Sequence, residues 1–282
     1  PGDAVLIQQP VYYPFASSIR ETGRVLVNSP LREEDGAYRM EPPEDLERRI
    51  VENNVRIFLL CSPHNPVGRV WTRDELAAVS DVCARHGVTV ISDEIHADFT
   101  HPGHPHTVFA SLSKEAEQSC VVCTAPSKTF NLAGLQTSNL FVPNEELRKK
   151  LRDRLRALHF EAPNLAGLTA CMAAYREGAA WLDELLAYLR GNTDFVRAFL
   201  ANRLPALRLT EPEGTYLLWI DCRGFGLSDE VLGELLTNRA RVWIDDGPMF
   251  GPGGEGFIRV NAACPRAVLE KAFARIAEAV GK

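Results

Sequence analysis

The residue type with the most chemistry to offer is a single lysine. Lys128 lies in the stretch 121–134, VVCTAPSKTFNLAG, where residues 121–124 suit a buried strand that Ala125-Pro126 interrupts. An amine at the end of such a strand has little solvent to hold its charge. Its pKa is expected to fall, which makes it a usable nucleophile of the Schiff-base kind. The competing reading is a lysine that leaves the sheet and carries its ammonium out to water, and the stretch alone does not separate the two. Two further polar residues, Asn65 in CSPHNPVGR and Asp93 after VTVIS, follow apolar runs in the same way. Each has an ordinary explanation, since Asn-Pro starts turns and an aspartate caps the next segment.

The elements around these residues alternate. Strands are expected over 4–8, 24–28, 56–60, 88–92 and 120–124, and helices over 13–22 and 43–52, the second with proline near its first turn. Thr72 and Glu75 form a capping box that opens a helix ending near His86, with Gly87 as its stop. This order predicts a mostly parallel sheet flanked by helices, an α/β class. In such sheets ligands lie beyond the carboxyl ends of the strands. Asn65, Asp93 and Lys128 each follow one of those ends, so three polar residues can converge on one ligand. After residue 141 the chain turns helical, with helices over 144–158, 165–175 and 180–203. Strands over 214–221, 241–244 and 256–260 and a helix over 265–280 then predict a smaller α+β C-terminal domain. The expected division is 1–178 and 179–282, with the long helix as link.

The chain has 282 residues and is 45% hydrophobic, enough for one large core and a smaller one. A formal charge of −6 gives no support to nucleic-acid binding. Seven cysteines, an odd number scattered through apolar stretches, suit reduced thiols in a cytoplasmic protein. No stretch approaches the length of a membrane span. Cys120 and Cys123 have metal-ligand spacing but alternate within a strand and have no second pair, and the charged run 145–156 reads as the solvated face of a helix. His96, His101, His104 and His106 crowd a Pro/Gly-rich loop that reads as a cover over a pocket, and no metal is expected.

Four ordered motifs carry a family resemblance: SPHNPVGR at 62–69, SDEIHADF at 92–99, APSKTFNLAG at 125–134 and FIRVNAACPR at 257–266. The chain resembles the fold-type I pyridoxal-phosphate enzymes, and more narrowly the aminotransferase-like cystathionine β-lyases, or carbon–sulfur lyases. The resemblance implies that Lys128 holds pyridoxal 5'-phosphate through its amine and then acts as general base at the substrate α-carbon. It implies that Asp93 pairs with the pyridine nitrogen, Asn65 bonds the phenolic oxygen, and His96, where many relatives carry tyrosine, lies close by. Tyr12 matches the aromatic that stacks on the ring, with Tyr13 the competing choice and a core role the alternative for both. Ser127 is a phosphate contact or a turn residue; many relatives place a serine where this chain has Ala125. Arg259 clamps the substrate carboxylate, for which a planar, permanently charged fork is suited. Glycine-rich 246–257 resembles the flexible segment beside that arginine.

The reaction implied is α,β-elimination from cystathionine or another S-substituted cysteine, giving pyruvate, ammonia and a thiol. An aminotransferase uses the same residues through the first proton abstraction and is the alternative. A catalytically silent binding protein or inactive fragment is a third. The resemblance also implies a homodimer and a segment upstream of Pro1, whose glycine-containing turn gives backbone amides to the phosphate. The start at PGDAVLIQQP is therefore expected to be internal, which bears on cofactor affinity.

Overall fold

The computed structural model describes residues 1–160 and 162–281. The parallel sheet forms because its strands are nearly continuous apolar runs, as suits strands covered on both faces. β1 (Ala4–Ile7) is buried throughout, and β5 (Val55–Cys61), β6 (Thr89–Asp93) and β7 (Cys120–Thr124) are buried or half-buried except at exposed Arg56. β2 (Val25–Asn28) and β8 (Asn139–Phe141) form the edges, giving the order β2-β1-β5-β6-β7-β8. All pairings are parallel except β7 with β8. A hairpin, β3 (Arg32–Glu34) and β4 (Ala37–Arg39), leaves the edge, exposed except for buried Tyr38.

The crossovers are helices α1 (Pro14–Glu21), α2 (Pro43–Glu52), α3 (Arg73–Arg85) and the short α4 (Lys114–Gln118). The capping box at α3 is formed: Thr72 Oγ1 accepts from the Glu75 amide at 3.2 Å, and the Glu75 carboxylate accepts from the Thr72 amide at 2.8 Å. Gly87 follows in a left-handed conformation that suits a residue without Cβ. Lys128 sits in one helical turn, α5 (Pro126–Thr129). Three helices then run on: α6 (Glu145–Ala157), α7 (Leu165–Glu177) and α8 (Ala179–Arg203).

The C-terminal part builds an antiparallel sheet in the order β11-β12-β10-β9, from β9 (Arg208–Leu209), β10 (Leu217–Asp221), β11 (Asp245–Asp246) and β12 (Phe257–Asn261). α9 (Asp229–Glu234), α10 (Arg266–Val280) and the end of α8 cover it, with Val196, Leu200, Leu232 and Phe273 in one core with Leu218 of β10. The strand expected over 241–244 is not there. Arg241 is in a left-handed conformation, Trp243 is 90% exposed, and pairing begins only at Asp245. RVWI has strand-forming residues but no neighbour to bond at that point. Likewise 214–221 becomes strand only from Leu217, because left-handed Thr215 bends the chain just before it.

The two sheets share a core. Trp219, Phe250 and Phe257 pack into the same cluster as Phe58 and Trp71 of the parallel-sheet region. Trp219 stacks on Phe257 and donates through Nε1 to the Tyr38 hydroxyl at 3.0 Å. Below them, buried Arg69 donates to Glu213 at 2.8 Å, to Glu75 and to the Tyr38 carbonyl. The Val70 amide also donates to Glu213, at 2.9 Å.

Candidate active site

The carboxyl ends of β5, β6 and β7 lie side by side, because the register sets Cys61 opposite Asp93 and Asp93 opposite Cys123. Asp93 is therefore in the middle of the sheet, with its carbonyl accepting from the Ser62 amide at 3.0 Å. Its Oδ1 accepts from the Ile95 amide at 3.2 Å. Burial pushes its carboxyl up to about 6, while that amide bond and the Lys128 ammonium pull it back and Glu94 raises it further. Lys128 and Asp93 are thus close enough to interact. Lys128 is half-buried, less enclosed than a strand-end position suggests, because α5 carries it to the wall of a cavity of about 390 Å³. Ser127, Tyr216 and Trp181 line the same cavity.

Burial lowers the His96 imidazole to about 3, helped by the positive charges of Lys128 and Arg259, so the ring is neutral at physiological pH. Its edge meets Tyr216 at a centroid distance of 5.6 Å, and its Nδ1 is buried with no hydrogen-bond partner among the described residues. Asn65 is buried, held by its amide donating to Cys61 Sγ at 3.4 Å. The Tyr12 amide donates to the Asn65 carbonyl at 3.0 Å, which brings the turn after β1 to the same place. Burial raises the Tyr12 phenol, with Tyr13 and Asp93 adding to the effect and Arg259 opposing it. Tyr13 is exposed.

Arg259, on β12 of the other sheet, donates from Nη1 to Asn65 Oδ1 at 2.9 Å. Its Nε and Nη2 donate to Asp245, and its guanidinium lies 4.7 Å from the centre of the Phe250 ring. Asp93, His96, Tyr12, Asn65 and Arg259 thus gather around these strand ends, and of the expected site residues Lys128 and Ser127 alone line the cavity. Two contributors carried no motif in the sequence: Tyr216 belongs to the sheet-forming GTYLLWID, and Asp245 immediately precedes the glycine-rich segment. Within the motifs, Thr129 donates to Asp98 at 2.6 Å and so anchors the lysine turn. An aromatic at a strand entrance and an acid before Asp-Gly are signals too common to have singled them out.

The histidine-rich loop is tied down elsewhere. His106 contacts buried Glu94 at 2.8 Å, and the His101 amide donates to the Glu213 carbonyl. Among the described residues no group of three His, Cys, Asp or Glu could hold a metal ion.

Residues 1–276 match the family described as aminotransferase class I and II. The chain belongs to that family. Within it, the chain is 44% identical over 280 residues to cystathionine beta-lyase PatB of Bacillus subtilis, covering 99% of this chain and 72% of that protein. It is 35% identical to protein MalY of Escherichia coli, covering 99% of this chain and 71% of MalY. Among solved members, cystalysin from Treponema denticola, which contains pyridoxal 5'-phosphate, superposes with a TM-score of 0.97 at 37% identity, over 100% of this chain and 71% of that one. The pyridoxal-phosphate-bound C-S lyase of Staphylococcus hominis gives 0.91 at 32% identity, over 99% of this chain and 71% of that one. The mostly parallel sheet with flanking helices is the fold-type I architecture of this aminotransferase family.

Proposed function

We propose that this protein is a pyridoxal-phosphate-dependent carbon–sulfur β-lyase. Its substrates are cystathionine or related S-substituted cysteines, cleaved with uptake of water to pyruvate, ammonia and a thiol. The observation that carries the reading is geometric: Asp93 ends the strand between those of Cys61 and Cys123, Arg259 donates to Asn65 at 2.9 Å, and His96 packs on Tyr216, which lines the same cavity as Lys128. An amine, a half-buried carboxylate and a carboxylate-binding fork thereby share one region. The similarity to PatB and to the C-S lyases selects elimination as the reaction.

The residues suit the cofactor. Asp93 is a half-buried carboxylate, and one that desolvation makes reluctant to ionise is stabilised by a cation beside it. When bound, pyridoxal phosphate supplies an aldehyde that condenses with amines and a protonated pyridine ring that accepts electron density. Lys128 would hold it through Nζ and, when that amine is free, would take the substrate α-proton on Nζ. Asp93 would keep the ring nitrogen protonated. Asn65 spends its carbonyl oxygen on Arg259, which leaves its Nδ2 to donate to the phenolic oxygen, with neutral His96 adjacent. Tyr12 would pack on the ring and Ser127 would contact the phosphate. Arg259 binds the substrate α-carboxylate.

The same reading takes 1–178 as the cofactor domain and 179–282 as linking helix and small domain. It takes the protein as a cytoplasmic homodimer. All seven cysteines are free thiols. Phe160 and Leu165, each 79% exposed, give an apolar surface for a second subunit. No helix among the described residues is long and apolar enough to cross a membrane.

The deciding experiment adds pyridoxal phosphate and cystathionine without a keto acid and follows pyruvate. Pyruvate formation, with a visible absorbance band lost on borohydride reduction and absent in Lys128→Ala, is the expected result. Amino transfer to an added keto acid without pyruvate would make the protein an aminotransferase, an outcome its family membership keeps in play. A preparation that stays colourless would make it a silent binding protein.

A further inference from the structure

Asp245 stands directly across from Arg259 in the antiparallel pairing of β11 with β12, so the two side chains lie on one face of the sheet. Its Oδ2 accepts from Arg259 Nε at 3.1 Å and from Nη2 at 2.6 Å. Asn65 Oδ1 accepts from Nη1 at 2.9 Å. A guanidinium has five N–H groups, and these contacts use one on each nitrogen. One on Nη1 and one on Nη2 therefore have no hydrogen-bond partner among the described residues. Two N–H groups on neighbouring nitrogens are what a carboxylate needs for a two-pronged bond. The Phe250 ring, 4.7 Å away, limits movement on one face of the guanidinium.

Resting on the reading of Arg259 as the carboxylate clamp, we propose that Asp245 is a positioning residue for substrate recognition. By taking the Nε–Nη2 edge, it orients Arg259 so that the remaining N–H groups of Nη1 and Nη2 receive the α-carboxylate of the amino-acid substrate. A free arginine side chain has several rotamers, and binding a carboxylate would otherwise have to select one of them. A cross-strand partner makes that selection before the substrate arrives.

The test uses the full chain loaded with pyridoxal phosphate. It compares cystathionine with an S-substituted cysteine amide, which lacks the α-carboxylate. It also measures the equilibrium dissociation constant of 3-(methylthio)propanoate, an unreactive carboxylate, by titrating the cofactor absorbance. Asp245→Ala is expected to raise KM for cystathionine and the propanoate dissociation constant about tenfold, the size of one lost charge-assisted hydrogen bond, with kcat changed less than about threefold. Asp245→Asn keeps an acceptor oxygen and should recover most of the loss, and the amide should be indifferent to both changes. Should Asp245→Ala not fold, Asp245→Ser, too short to reach the fork, makes the same comparison. Tighter carboxylate binding in both variants would mean that Asp245 competes with substrate, and a fall in kcat at constant KM would mean a structural role. Either result overturns the proposal. Arg259→Ala separates the two levels. If it leaves carboxylate binding unchanged, the reading of Arg259 fails; if it weakens binding while Asp245→Ala does not, the Asp245 proposal alone fails.

Discussion

Asp93 and Arg259 belong to one cluster but are held in opposite ways. Asp93 is the last residue of a central strand, and the backbone on both sides positions it: Ser62 bonds its carbonyl, and the Glu94 amide that follows bonds the Cys123 carbonyl at 2.8 Å. Arg259 is on a strand of the other sheet, and its head is fixed by side chains, Asp245 on its own sheet and Asn65 across the gap. The parallel sheet thus places the proposed cofactor groups through its hydrogen-bond ladder. The antiparallel sheet places the proposed substrate group through contacts that depend on how the sheets pack. Chemistry and substrate recognition should therefore be separable by mutation.

The largest effect should come from the parallel sheet. Lys128→Ala removes both the proposed covalent attachment and the proposed general base, and kcat should fall by more than about 10⁴; single-turnover pyruvate release measures it. Arg259→Ala should lower kcat/KM for cystathionine by about 100-fold, the equivalent of two charge-assisted hydrogen bonds, yet leave the borohydride-sensitive band in place. A lost band there would show that the two halves are not separable.

Glu213→Ala attacks the joint between the sheets instead of either half. It strips Arg69 and the Val70 amide of a partner, and should destabilise the protein by about 2 kcal/mol in urea unfolding, given that Glu213 retains some solvent contact. Its effect on catalysis should appear in KM more than in kcat.

The smallest effect is in pH dependence. The folded carboxyl of Asp93 is raised from its ordinary 3.8 to about 6, so between those values the cofactor-free folded protein binds more protons than the unfolded chain. Stability of the cofactor-free protein should therefore fall as pH rises from about 4 to about 6. Asp93→Asn should flatten that slope and be more stable near pH 7 by on the order of 1–2 kcal/mol. Affinity for pyridoxal phosphate should run the other way, weakening as pH drops below about 6, because only the carboxylate pairs with a cationic ring.

How legible these features were depends on how local their cause is. The helix 43–52 and the strand 120–124 were readable residue for residue, since proline at the helix start and an apolar run bounded by turn residues act over a few positions. The strand expected over 241–244 failed because strand propensity says nothing about whether a neighbour is present to pair with. The edge strand β8 and the β3–β4 hairpin went unread for the complementary reason: each has a partner, but each of these strands is three residues long and mostly exposed, which leaves little apolar pattern. Lys128, Asp93, Asn65 and Arg259 were visible as candidates because strand ends and motif order are properties of the chain itself.

Their meeting was not visible there. Asn65 and Arg259 are 194 residues apart, and nothing between them in the chain encodes their contact. The amino-acid sequence by itself determined which residues could do chemistry and that three of them end neighbouring parallel strands, because periodicity and turn chemistry are short-range. The tertiary structure alone decided that Arg259 reaches that group and that Asp245 faces Arg259. It also decided that His96 is neutral, because burial, charge coupling and the packing of one sheet against another exist only once the chain has folded.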